Sequence, residues 1–156
     1  MTKLAIDDER NFLFAINHLV NVELFRQLWM SDGTDAAADG DSSCALVVSS
    51  ILLLFGLIPR KYATVRSLLN ELRQNGYRAS TDFATMQPGD VVHFATGKTG
   101  NEHVGFCLKN DLVDDNFVKQ NVKLVSNDSN LGVPKMHGFT LRDGREPVEF
   151  FSQKML

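Results

Sequence analysis

Cysteine is scarce in this chain: Cys44 and Cys107 are the only two in 156 residues. That excludes the disulfide framework on which many small secreted domains depend. An excess of one charge is missing too. Sixteen Lys and Arg stand against nineteen Asp and Glu, for a formal net charge of −3, and the basic residues form no tract. Nucleic-acid binding by counterion release therefore has no footprint, and a polybasic membrane anchor is absent for the same reason. Long hydrophobic runs are lacking as well. The most apolar stretch, Cys44 to Ile58, is broken by Ser49, Ser50 and Gly56 and closed by Pro59. It falls short of the roughly 18–20 residues that a membrane span requires, so it reads as a buried helix. Near the N-terminus, Asp7, Asp8, Glu9 and Arg10 stand where a secretory signal would place apolar residues. The expectation is a cytoplasmic protein, unless an unconventional route exports or releases it.

What the chain does have is core. Hydrophobic residues make up 44% and charged residues 22%, with eleven Phe, which rules out intrinsic disorder. The length fits one domain spanning residues 1–156. Apolar residues at three- and four-residue steps (Phe12, Ile16, Leu19, Val20, Leu24, Leu28) predict a helix from about Glu9 to Met30. The Asp-rich segment Ser31 to Ser43 reads as a loop. A second helix is expected to start from an N-cap at Asp41 or Ser42 and run to about Gly56. A third should span Thr64 to Asn75, with Gly76 beyond its end.

After Gly76 the texture changes to strand. Pro88-Gly89-Asp90 launches Val91 to Phe94, and Gly97 to Gly100 leads into a hairpin partner, His103 to Leu108. Further strands are expected at Val122 to Val125, Phe139 to Leu141 and Val148 to Phe151. Helices first and strands afterwards predict an α+β fold with a mostly antiparallel sheet.

The chemistry centres on Cys44. A thiol at a helix N-terminus meets unpaired backbone N–H groups and the positive end of the helix dipole, which favour the thiolate. A thiolate with a base beside it is a nucleophile. His103, at the mouth of the strand His-Val-Gly-Phe-Cys-Leu, is the candidate base. Each residue also has a plainer reading: Cys44 as a small residue opening a core helix, His103 as a surface residue.

Taken together, Cys44-Ala45-Leu46, Gln87-Pro88-Gly89-Asp90-Val91-Val92 and His103-Val104-Gly105-Phe106 resemble the core of the NlpC/P60 superfamily. These are papain-like cysteine hydrolases related to the CHAP amidases. The resemblance runs from about Asp41 to Ser129, with a weaker tail from Gly132 to His137. It implies a nucleophile-bearing helix packed on a small antiparallel sheet, with Cys44 as nucleophile and His103 as general base. It also implies a third residue, from the strand after the His strand, to orient the imidazole. Asn127 is the first choice, with Asp114 and Asp128 as competitors. The N–H of Cys44 and a donor within Asp41 to Ser43 would hold the oxyanion. Two features depart from the family pattern. Ser43-Cys44-Ala45-Leu46 replaces the usual Asp-Cys-Ser-Gly, and the customary preceding Tyr has no counterpart.

The resemblance implies cleavage of an amide bond in a peptide, peptidoglycan above all, with no cofactor. An acyltransferase or a protein deamidase would use the same thiolate, and a binding domain could keep the fold without turnover. Cys107 shares a face with His103 by strand alternation and reads as a buried structural thiol. A zinc site from Cys44, His93, His103 and Cys107 lacks the usual paired spacings, so no metal is expected there. The loop acids Asp32, Asp35, Asp39 and Asp41 do not match an EF-hand and read as solvated. His18 and His137 read as surface or packing residues, and Trp29 as helix packing. Lys109 to Lys123 is the stretch long enough to form a lid.

Overall fold

We describe residues 7–40 and 42–153 of a computed structural model. Three helices and an antiparallel six-stranded sheet make up the α+β fold. The helices are α1 (Asp8–Asn17), α2 (Cys44–Leu54) and α3 (Val65–Gln74). The strands are β1 (Arg78–Ser80), β2 (Val91–Phe94), β3 (His103–Asn110), β4 (Val122–Asp128), β5 (Val133–His137) and β6 (Pro147–Ser152), arranged in the order β1-β6-β2-β3-β4-β5.

Period-two alternation splits the apolar strand residues between two cores. Val91, Val104, Phe106, Val125 and Phe151 meet the helices on one face. Val92, Phe94, Cys107, Leu124 and Phe150 bury against Met86 and Phe139 on the other. α2 contacts β3 and β4 as well as α1 and α3, which is why it is apolar all round rather than along a stripe. α3 is amphipathic, burying Val65, Leu68, Leu69 and Leu72; Thr64 caps it by accepting from the Ser67 N–H.

The first helix is shorter than its periodicity predicts. It ends at Asn17, and Asn21 turns left-handed with φ 66°. There the Asn21 N–H donates to the Pro134 carbonyl at 2.9 Å, on edge strand β5. Beyond Asn17 irregular chain buries Leu19 and Phe25 in the helix-side core and leaves Leu24, which the helical spacing places on the buried stripe, 79% exposed. Edge placement also explains Pro134, since a strand at the border tolerates a missing N–H.

The β2–β3 hairpin forms as expected, from Val91 opposite Phe106 to Phe94 opposite His103. The strand expected at Phe139 to Leu141 is instead a loop, with Phe139 buried against Phe83 and Phe117. Strands β1 and β5 were not foreseen as such, being short and, in β5, interrupted by proline. In Lys109 to Lys123, the stretch long enough to form a lid, Phe117 packs against the second core, on Phe83 and Phe139.

Candidate active site

Cys44 is the first residue of α2. Ser43 is its N-cap, but the Ser43 hydroxyl donates to the Gly40 carbonyl at 3.2 Å and makes no capping bond to the helix. The cap was expected at Asp41 or Ser42; Ser42 precedes the observed cap by one residue, and Asp41 lies outside the described residues. The Cys44 side chain is half-buried. Burial pushes its thiol above the ordinary value, while the N–H groups of Val104 and Ala45 and the charge of Arg145 pull it partly back. Desolvation thus opposes the helix-terminus effect, which by itself favours the thiolate.

His103 opens β3 and is 8% exposed. It shares a strand face with Gly105 and Cys107, away from the helices, and its ring lies 5.4 Å from that of Phe94. The N-terminus of α2 reaches the same end of the sheet, as the approach of Val104 to the thiol shows. Cys44 and His103 thus line one cavity of about 600 Å³, together with Ser126, Asn127, His137 and Arg145. No hydrogen bond joins the thiol to His103 among the described residues.

A chain of hydrogen bonds fixes the tautomer of His103. His137 Nδ1 lies 2.8 Å from the Gly138 carbonyl, which can only accept, so Nδ1 carries a proton. Burial lowers the proton affinity of His137 and keeps the ring neutral, so its Nε2 accepts. The Ser126 hydroxyl, 2.7 Å away, donates to that nitrogen. Ser126 Oγ in turn accepts from His103 Nε2 at 2.8 Å. Burial, reinforced by the Arg145 charge, drops the pKa of His103 to about 3, so this ring is neutral as well. Its proton sits on Nε2, and Nδ1 is left with a lone pair that has no hydrogen-bond partner among the described residues.

Asn127, expected to orient His103, does something else. It follows Ser126 on β4, so alternation turns it to the opposite face. Its amide donates to the Gly40 carbonyl at 2.6 Å, and its buried Oδ1 has no partner among the described residues. Asn127 therefore clamps the loop ahead of the nucleophile. Gly40, at φ 94°, packs against the backbone of Gly132 at the same place, and the Arg26–Asp39 ion pair (2.9 Å) adds to the clamp. Asp114 sits in an exposed turn with φ 49° and does not line the cavity. Asp128 does line it, but its carboxylate accepts from the N–H of Asn130 at 3.0 Å and its charge raises the proton affinity of His137.

Ser126, His137 and Arg145 were missed by reading the sequence. Gly105 signals only the close approach of β4: a Cβ there would meet the Val125 carbonyl oxygen at 2.4 Å and Ser126 Cβ at 2.7 Å. Arg145 comes from a turn closed by the Leu141 N–H on the Arg145 carbonyl at 2.8 Å. Its Nε donates to Asp143 at 2.7 Å and its Nη1 to the Asn101 carbonyl at 3.3 Å.

The remaining candidates stand apart from the cavity. Cys107 is fully buried, and burial pushes its thiol up to about 12. His93 Nδ1 bonds to Glu149 at 3.0 Å, and His18 stacks on Phe14. Trp29 is 64% exposed rather than packed. Asp32 and Asp39 are exposed, in keeping with solvated loop acids, and Asp41 lies outside the described residues; half-buried Asp35 instead holds loop backbone, accepting from the N–H groups of Leu28, Ala37 and Asp39. Among the described residues, no group of three or more His, Cys, Asp or Glu gathers to hold a metal. No protein-family model, curated protein or solved structure matches the chain.

Proposed function

We propose that this protein is a cysteine hydrolase of papain-like type that cleaves an amide bond, with Cys44 as nucleophile and His103 as base. One observation carries the reading: a thiol at a helix N-terminus shares a cavity with an imidazole whose Nε2 proton is committed to Ser126. The resemblance to the NlpC/P60 superfamily supports it, and makes peptidoglycan peptides the first substrates to try.

The reaction starts from a neutral thiol and a neutral imidazole. As the sulfur attacks the carbonyl carbon, its proton passes to His103 Nδ1 and the carbonyl oxygen becomes an oxyanion. The N–H groups of the first turn of α2 supply donors for that charge. Imidazolium formed on His103 is steadied by Ser126, whose oxygen accepts from Nε2. Collapse expels the amine, which takes the proton from Nδ1 and leaves a thioester on Cys44. Water then attacks the thioester, returns a proton through His103 and releases the acid.

A second reading, a binding domain without turnover, is favoured by the raised thiol pKa and the missing bond between Cys44 and His103. Iodoacetamide alkylation of Cys44 separates the two. The hydrolase reading expects alkylation at neutral pH to slow about tenfold in His103→Ala, and Cys44→Ala to abolish muropeptide cleavage with thermal stability kept. Slow alkylation indifferent to His103 supports the binding domain. Product analysis decides the reaction class: free acid marks a hydrolase, an acylated acceptor a transferase.

A further inference from the structure

Arg145 has no part in the steps above, yet it lines the same cavity as Cys44 and His103. Its side chain is only 14% exposed, a costly position for a permanent charge. Asp143 and the Asn101 carbonyl occupy its Nε and Nη1, and Nη2 has no hydrogen-bond partner among the described residues. Asp143 is half-exposed at 52%, so solvent weakens its neutralising effect. The guanidinium reaches both reacting groups electrostatically, favouring thiolate at Cys44 and disfavouring imidazolium at His103. In a thiolate–imidazolium pair those two influences oppose each other. Tuning proton transfer therefore does not account for the residue. A fixed cation with an open N–H edge in a substrate-sized cavity does have another use, because a guanidinium fork matches a carboxylate.

We propose that Arg145 is a specificity residue that binds a carboxylate of the substrate beside the scissile amide. The assignment rests on the reading of Cys44 as the nucleophile of this cavity. Substrates are then acidic peptides or amides, and an analogue with carboxamide in place of that carboxylate loses binding.

The test uses two alkylating probes that differ in one charge. Iodoacetate carries a carboxylate and iodoacetamide does not, and both transfer their carbon to the thiolate with loss of iodide. The rate ratio of iodoacetate to iodoacetamide at Cys44, followed by mass spectrometry, cancels changes in thiol ionisation. Arg145→Gln should lower this ratio about fivefold or more, and raised salt should lower it in the wild type. Asp143→Asn keeps an acceptor for Nε but removes the competing charge, so it should raise the ratio. This variant still decides the matter if Arg145→Gln does not fold. A reactive Cys44 whose ratio is unmoved by these changes overturns the carboxylate assignment alone. A thiol inert to both reagents overturns the nucleophile reading and this assignment with it.

Discussion

Ser126→Ala is the substitution on which the proposed relay stands or falls. Ser126 is 4% exposed and His103 8%, and one hydroxyl serves both imidazoles, at 2.8 and 2.7 Å. Removing it deletes two neutral hydrogen bonds, each worth about 1 kcal/mol net, and leaves His103 Nε2–H and His137 Nε2 without partners. Water entering from the cavity can recover part of that loss. The expected destabilisation is about 2–3 kcal/mol, read as a drop in urea midpoint at unchanged slope. The functional effect is separate. Without Ser126 the proton of His103 is free to move to Nδ1, where the ring can no longer accept from the thiol. Nitrogen-15 NMR should then show mixed tautomers, and alkylation of Cys44 at neutral pH should slow about tenfold. His137→Phe supplies a graded comparison. It keeps the acceptor for His103, so its tautomer effect should be smaller than that of Ser126→Ala. A Ser126→Ala protein with wild-type tautomer, alkylation rate and stability would refute the argument outright.

Two further outcomes follow from the same geometry. The folded-state pKa of His103 is depressed to about 3 from an ordinary 6.5, so the unfolded chain binds the extra proton first. Its contribution is whole above pH 6.5 and is lost as pH falls toward 3, on the order of 3 kcal/mol by pH 4. Relative to wild type, His103→Gln should lose less stability over that interval, measured by urea titrations at pH 7 and pH 4; parallel curves would show that the buried neutral ring is misassigned. Gly40→Ala should cost about 2–4 kcal/mol, combining strain at φ 94° with the clash against Gly132. Gly33→Ala, at φ 83° with nothing within 4 Å, is the control and should cost only the strain; equal losses would show that the packing on Gly132 carries no weight.

The parts of the fold legible in the sequence are those where local chemistry and burial agree. Thr64 before Val65, with Gly76 after the last turn, set the third helix because cap and stripe coincide. The hairpin from Val91 to Leu108 was legible because both strands are buried on both faces and a turn separates them. The long first helix failed for a specific reason. Beyond Asn17 the stripe holds only in part: Leu19 is buried, Leu24 stands 79% exposed, and Phe25, off the stripe, is buried in irregular chain pinned by Asn21 to Pro134. The strand β5 failed because proline lowers strand preference, and only its edge position makes Pro134 tolerable.

The site divides along the same line. Cys44 and His103 announce themselves through position: one opens a helix, the other a strand, and both ends meet at one cavity. The third residue has no such marker. Asn127 was favoured because its segment follows an apolar strand and resembles the corresponding family stretch, and it does lie on the strand after that of His103. A one-residue difference in register nevertheless decides which side chain faces His103. Pairing of Gly105 with Ser126 sets that register and turns Asn127 toward Gly40. The hydroxyl that results is both donor and acceptor, so it needs a further group to fix its direction. His137 fills that role only because Gly138 fixes the proton on its Nδ1. Single-residue chemistry could not have singled out Ser126, because its function exists only in the company of two histidines on neighbouring strands.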